Sequence, residues 1–329
     1  MKSTRLSIAG TVALAALLGT GSAGAQPTFT ILPENTLPTG INDGGATAGV
    51  VANKIAFLRT PDGVITTFSA TSDAVETAGT GINANNSVTG WYQDARSHFH
   101  GFIRDAGGGI MTFDAPGDAT FPASINALGS VTGNYSRRGG PRRGFLRTPD
   151  GAITTFQAPR AVETLPFAIN DSGVIVGYTN RFGISRGFVR AADGTIATFN
   201  VPGNNLETVA YCINNDGVIA GTYSDASGQD HGFIRSADGT FTTFDARGDD
   251  TVANSINSGG TVAGGYVGGK HRRQLGFVRQ PDGHIQIISA PDSSGGTVAG
   301  SINAGGVVAG YFAVRPKHPA YYGFIWTPN

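Results

Sequence analysis

The chain has 329 residues, of which 40% are hydrophobic and 14% charged, with 23 basic and 23 acidic side chains. That is enough apolar material for a large core, so the 50 glycines and 16 prolines mark frequent turns rather than disorder. They also exclude a mainly helical protein, because both residues disfavour helix interiors. Balanced charge offers no basic excess for nucleic acid, and the single cysteine, Cys212, excludes an internal disulfide.

The first stretch, MKSTRLSIAGTVALAALLGTGSAGAQ, runs from Lys2 and Arg5 through an apolar segment to Ala23-Gly24-Ala25. This is the order of a secretory signal peptide. It predicts cleavage near Ala25 and a secreted or periplasmic bacterial product, with 1–25 as leader and 26–329 as a single domain. No later segment is long and apolar enough for a membrane span. After the leader, PTFTIL reads as a lone strand.

A repeat follows. Ile-Asn pairs begin at Ile41, Ile82, Ile125, Ile169, Ile213, Ile256 and Ile302, spaced by 41 to 46 residues, with a Thr five residues before each Ile. Every unit holds apolar runs separated by Asp-Gly or Asn-Asp-Gly turns. We call them A (ETVAYCIN in the fifth unit), B (GVIAGTY), C (HGFIR) and D (GTFTTFD). Val, Ile, Thr, Phe and Tyr dominate them, so each predicts a short strand joined by tight turns. Four antiparallel strands in about 40–45 residues is the spacing of a β-propeller blade. The last unit ends after strand C, at GFIWTPN, and lacks strand D. The sequence therefore predicts an all-β, seven-bladed β-propeller of four-stranded antiparallel blades, its ring closed by the N-terminal strand completing the last blade. The competing architecture, an open β-solenoid, gives no reason for complementary ends.

The pattern GIN…G.VVG…(H/R)GF(I/L/V)R…DG.(I/F)TTF resembles the bacterial extracellular HAF-repeat proteins. The His-Ala-Phe signature appears as His-Gly-Phe at 100–102 and 231–233, and Ala56-Phe57 keeps the Ala. The resemblance covers nearly the whole chain after the leader. It implies a propeller-like, exported protein and carries no particular activity with it.

Several columns hold chemistry-bearing residues. An Arg closes strand C at Arg59, Arg104, Arg147, Arg190, Arg235 and Arg279. Its near-uniform use points to a structural bond at each C–D hairpin rather than to a site. His100 and His231 stand in the second and fifth units, too far apart to share one ion. His98 lies two residues before His100 without an evident third ligand, so the expectation is no metal and no cofactor. Cys212 occupies a small-residue column of the innermost strand and predicts an inert thiol. Trp91, beside Tyr92 of strand B, is a candidate stacking platform for a sugar, read here as unrepeated at its position.

The B–C and D–A connections should emerge on one side of the molecule, and their charges are sorted. The B–C loops hold 13 of the 23 basic residues, including Arg137, Arg138, Arg272 and Arg273. The D–A segments hold mostly acids, with Glu76, Glu163, Glu207 and Asp250 each directly before the column Thr. These ten residues, Trp91 and Tyr92 included, are the expected ligand contacts. They point to a binding or scaffolding propeller that takes an anionic extracellular polymer or surface. An extracellular lyase or hydrolase acting on a polymer is the alternative. It requires acid, base and cation gathered in two or three adjacent units. A sugar-binding lectin is the third reading and requires aromatic side chains repeated between units.

Overall fold

A computed structural model describes residues 5–6, 26–52, 54–203, 206–268, 272–314 and 320–329. The expected leader, 1–25, lies outside them except for Arg5–Leu6, which pair with the outer edge of Ile65–Phe68. All regular structure among the described residues is β-strand. No helix among them is long and apolar enough to cross a membrane.

The units form antiparallel arrays in the order A–B–C–D. In the fifth, Glu207–Ile213 pairs with Ile219–Ser224, which pairs with Asp230–Arg235, which pairs with Phe241–Phe244. In the last, Gly296–Ile302, Val308–Val314 and Ala320–Thr327 are followed at the outer edge by Thr28–Glu34, whose Phe29 opposes Trp326. The expected pairing of the N-terminal strand with the last unit is thus present. Strand A carries an irregularity in every unit. Its register shifts around the residue two before the Ile, as between Ala210 and Cys212.

The core lies between units. Strand C contributes a fully buried Phe each time: Phe57, Phe102, Phe145, Phe188, Phe233, Phe277 and Phe324. The D-strand Phe of the preceding unit meets several of them edge-on, as Phe68 meets Phe102 with ring centroids 5.8 Å apart. Each buried ring contributes about 1.5–3 kcal/mol relative to exposure. Strand B lies so close to strand A that only glycine fits in its third position. A Cβ on Gly221 would sit 2.0 Å from the Val209 carbonyl oxygen and 2.8 Å from the Phe233 ring.

Two repeated side chains bind one unit to the next. The column Thr is buried, and its hydroxyl accepts from the backbone of the D–A crossover, for example Ala115 N to Thr120 Oγ1 at 3.0 Å. At the opposite end of strand A, the Asn of each Ile-Asn pair works in two directions. Asn170 Oδ1 accepts from Val174 N in its own turn at 2.9 Å, and its Nδ2 donates to the Asn214 carbonyl of the next unit at 3.2 Å. The same inter-unit bond runs from Asn42 to Asn83, Asn83 to Asn126, Asn126 to Asn170, Asn214 to Asn257 and Asn257 to Asn303. Asn303 then donates to the Asn42 carbonyl at 3.1 Å. A cavity of about 220 Å³ opens beside these pairs, lined largely by their Ile and Asn residues.

Candidate functional site

Three of the columns singled out in the sequence hold the fold together. Five of the six strand-C arginines donate to the carbonyl of the following residue, as Arg147 Nη1 does to Thr148 O at 3.2 Å. Five of the six also lie over a Phe of the preceding unit, as Arg104 lies 5.0 Å from the centre of Phe68. Burial lowers the pKa of Arg147 and Arg190, and the nearby turn aspartates Asp150 and Asp193 oppose that shift. Cys212 is buried, and burial pushes its thiol up to about 12. It is an inert packing group, as expected. His231 is held by two carboxylates, Asp245 at 2.7 Å and Asp225 at 3.4 Å, and stacks on Tyr223.

The expected ligand contacts fall in different surroundings. Glu76, Glu163 and Glu207 begin inner strands, and Asp250 is the second residue of one. Glu163 Oε1 accepts from Arg142 N at 3.4 Å. Arg272 bridges to Asp249 at 2.7 Å and approaches Asp250 at 3.9 Å. Arg137 Nε donates to the Pro116 carbonyl at 2.5 Å, and the Arg138 backbone N–H to Asp118 at 2.6 Å. Arg273 begins strand C of the sixth unit and is exposed. The basic loops at 137–138 and 272 therefore fold onto the neighbouring D–A segments, each engaging an acid or a carbonyl there. Pairs this exposed contribute at most about 1 kcal/mol. Tyr92 packs against the first unit and stacks on His100.

Trp91 requires a correction. It follows the strand-B glycine directly and opposes Gly101 of strand C. By the same register Tyr178 opposes Gly187 and Tyr311 opposes Gly323. Trp91 is thus one of three aromatics in a single column, not an unrepeated residue. It was concealed because the other B-strand tyrosines occupy the next position, which faces the preceding unit. On the Trp91 face two aromatic groups form. Trp91 and Phe99 meet Phe121 of the third unit at 6.1 and 4.9 Å, with Arg142 over Phe121 at 5.6 Å. Phe167 stacks on Tyr211 of the fifth unit at 5.4 Å and lies 5.5 Å from Tyr178. Phe167 and Tyr211 occupy the irregular position of strand A. In other units the same position holds Thr39, Thr80 or Asn254, each bonded to the next inner strand. The fold repeats, and these aromatics do not. Burial pushes Tyr211 up to about 12, helped by Glu207 and Asp230. Tyr178 is also raised by burial, with Glu163 adding to the shift and Arg142 opposing it. Both phenols keep their protons near neutral pH and offer O–H donors beside ring faces.

The fourth unit carries a further basic feature. Its B–C hairpin turns at Phe182-Gly183, with Arg181 opposite Ile184. Both turn residues have positive φ, 53° and 84°. A two-residue hairpin demands that conformation, and Asn or Gly normally supplies it; a bulky residue there is strained. Phe182 is nevertheless 84% exposed, with Arg181 over its ring at 5.4 Å. Beneath it lies a cavity of about 630 Å³ whose lining includes Arg160, Arg181, Arg186, Phe182 and Ile184 and no acid. Among the described residues, none of these three guanidinium groups meets a carboxylate. These arginines stand apart in the sequence, because Arg160 arrives from the D–A segment and the other two from the hairpin. The misplaced Phe beside Gly183 was the available signal.

No protein-family model and no curated protein matches the chain. Solved structures do. Streptogramin B lyase is 14% identical with a TM-score of 0.61, over 90% of this chain and 97% of that one. Virginiamycin B lyase from Staphylococcus aureus is 14% identical with a TM-score of 0.58, over 91% and 98%. The β-propeller domain of the Trilobed protease from Pyrococcus furiosus, described as having an open velcro topology, is 11% identical with a TM-score of 0.60, over 90% and 94%. At such identities the likeness concerns architecture alone, and it shows that this all-β chain has a β-propeller fold.

Proposed function

We propose that the chain is an exported, seven-bladed, closed propeller of the HAF-repeat type. In this reading it binds an anionic extracellular polymer on the face formed by its B–C and D–A connections. Export rests on the leader-like residues 1–25. The closed ring is supported by Asn303 donating to Asn42 and by Thr28–Glu34 pairing with Ala320–Thr327. The observation that carries the binding reading is the cleft of Arg160, Arg181 and Arg186, three cations without an acid among the described residues that line it, beneath a strained and exposed Phe182. Strain held at a loop tip is common at binding sites, and the arrangement offers charge to sulfate or carboxylate groups and a ring face to a sugar. The loops at 137–138 and 272–273 would add a weaker, more distributed attraction.

Binding is favoured over catalysis by the chemistry of the side chains. The solved neighbours include two lyases by name, but among the described residues the phenols at the aromatic groups are poor bases and nucleophiles. Tyr178 and Tyr211 are lifted away from ionisation, and the only thiol is buried. Phe182→Asn tests the reading. Asn suits the positive φ, so melting should stay level or rise, while affinity for a sulfated polysaccharide should fall several-fold. Unchanged affinity would remove Phe182 from the site.

A further inference from the structure

The loop QDARSHFH (93–100) joins strands B and C of the second unit and folds back on itself. Asp94 N donates to His98 O at 3.0 Å, and Ser97 N to Asp94 O at 3.0 Å. Asp94 Oδ1 accepts from the backbone of Arg96 and of His98, both at 2.8 Å. That fixes the carboxylate and leaves Oδ2 facing two imidazoles. Oδ2 lies 3.5 Å from His98 Nδ1 and 3.6 Å from His100 Nε2. One ligand atom from each of the three residues lies within 4.8 Å of the others.

These separations are long for hydrogen bonds. They suit ligands around a common ion. Tetrahedral bonds of about 2.0–2.1 Å place neighbouring ligand atoms about 3.4 Å apart. His100 is also prepared from behind. Its Nδ1 meets Asp114 Oδ1 at 2.9 Å, and its ring stacks on Tyr92 at 4.9 Å. With the proton on Nδ1, the Nε2 lone pair points at Asp94 and His98. This is the carboxylate–histidine support that orients metal-bound imidazoles.

The fifth unit supplies an internal comparison. Its loop SDASGQDH (224–231) repeats the same frame. Asp225 Oδ1 accepts from Ser227 N and Gln229 N, Asp225 Oδ2 faces His231 Nε2 at 3.4 Å, and Asp245 holds His231 Nδ1. The place of His98 is taken by Gln229. The Asp–His–Asp frame is thus the common structural device, and the second unit adds one imidazole to it.

We infer that Asp94 Oδ2, His98 Nδ1 and His100 Nε2 form a binding site for a divalent cation of the zinc class, with Asp114 positioning His100. Two imidazoles and one carboxylate favour Zn²⁺, Cu²⁺ or Ni²⁺ over Ca²⁺ or Mg²⁺. His98 is half exposed, so a fourth ligand, water or an anionic group, has access from solvent. The sequence stopped at two ligands because the third lies four residues before His98, in a loop whose fold-back is invisible in one dimension.

The test uses the untagged chain, stripped of metal with a chelator and titrated with Zn²⁺ against a chromophoric competitor. One equivalent should bind. His98→Gln, which reproduces the fifth unit, should lose at least tenfold in affinity without changing the melting temperature of the metal-free protein. Asp114→Asn should weaken binding about 10–100-fold if it orients His100. His231→Gln should leave the tight equivalent intact. Absence of a tight equivalent, or its full retention in His98→Gln, would overturn the assignment.

Discussion

Replacing Asn170 by Ala measures the inter-unit bond on which the proposed ring depends. The side chain is buried and makes two hydrogen bonds, Oδ1 to Val174 N at 2.9 Å and Nδ2 to Asn214 O at 3.2 Å. Ala removes both. The Asn214 carbonyl keeps the Gly217 N–H as a partner, whereas Val174 N loses the acceptor it has. A net hydrogen bond contributes about 0.5–1.5 kcal/mol, and an orphaned donor costs about 1–3 kcal/mol, so the loss should be about 2–4 kcal/mol. For a domain of this size that corresponds to about 4–8 °C in melting temperature. Asn170→Asp sharpens the experiment. It keeps the acceptor for Val174 but sets a carboxylate oxygen against the Asn214 carbonyl, where it has no proton to donate. Its pKa should be raised by that contact, so its deficit should shrink as the pH falls and the acid becomes protonated. The assay is thermal and denaturant unfolding of parent and variants between pH 4 and 8. Asn83 and Asn257 make the equivalent pair of bonds, and their Ala variants should cost alike. An Asn170→Ala protein within about 0.5 kcal/mol of the parent would behave like a surface substitution and refute the reasoning.

Two further outcomes follow from the packing. Deleting Pro27–Leu32 removes the outer strand from Ala320–Thr327, along with Leu32 from its buried cluster with Ile41, Ala309 and Ile325. The truncated protein should melt lower and self-associate through the bared edge; a monomer with unchanged melting would count against ring closure by this strand. His231 titrates above its ordinary value: burial pulls it down, and Asp245 and Asp225 more than compensate. A raised folded pKa gives stability that is complete below the unfolded value, about 6.5, and is lost as pH rises through the folded value. His231→Gln should therefore cost more at pH 5.5 than at pH 9, and a deficit independent of pH would contradict the ion-pair account.

What the sequence made legible was whatever recurs. Regular Ile-Asn spacing, the Thr column and the missing D strand at the C-terminus led directly to strands A–D and to the pairing of the two ends. What recurs was still only half explained. The Asn at 42, 83, 126 and its later counterparts was visible as a repeat, yet its donor reaches a carbonyl more than 40 residues away, and spacing alone names no partner. The site was less legible because sites depend on departures from the repeat. Trp91 stood out as a departure, and strand register shows that it shares a column with Tyr178 and Tyr311, which sit one place off the other strand-B tyrosines in the sequence as well. Arg137 and Arg272 are engaged by neighbouring segments, and their partners could not be named from the sequence. Arg160, Arg181 and Arg186 looked scattered and converge.

Retention on immobilised dextran sulfate tests the proposed function most directly, with neutral dextran as the control and a salt gradient as the readout. The parent should elute late, and Arg160→Ser/Arg181→Ser/Arg186→Ser should elute much earlier with little change in melting, because among the described residues the three guanidinium groups have no carboxylate partner to lose. Arg137→Ser/Arg138→Ser/Arg272→Ser/Arg273→Ser should shift elution less. Coincident elution of the parent and the triple variant at every salt concentration would contradict the account.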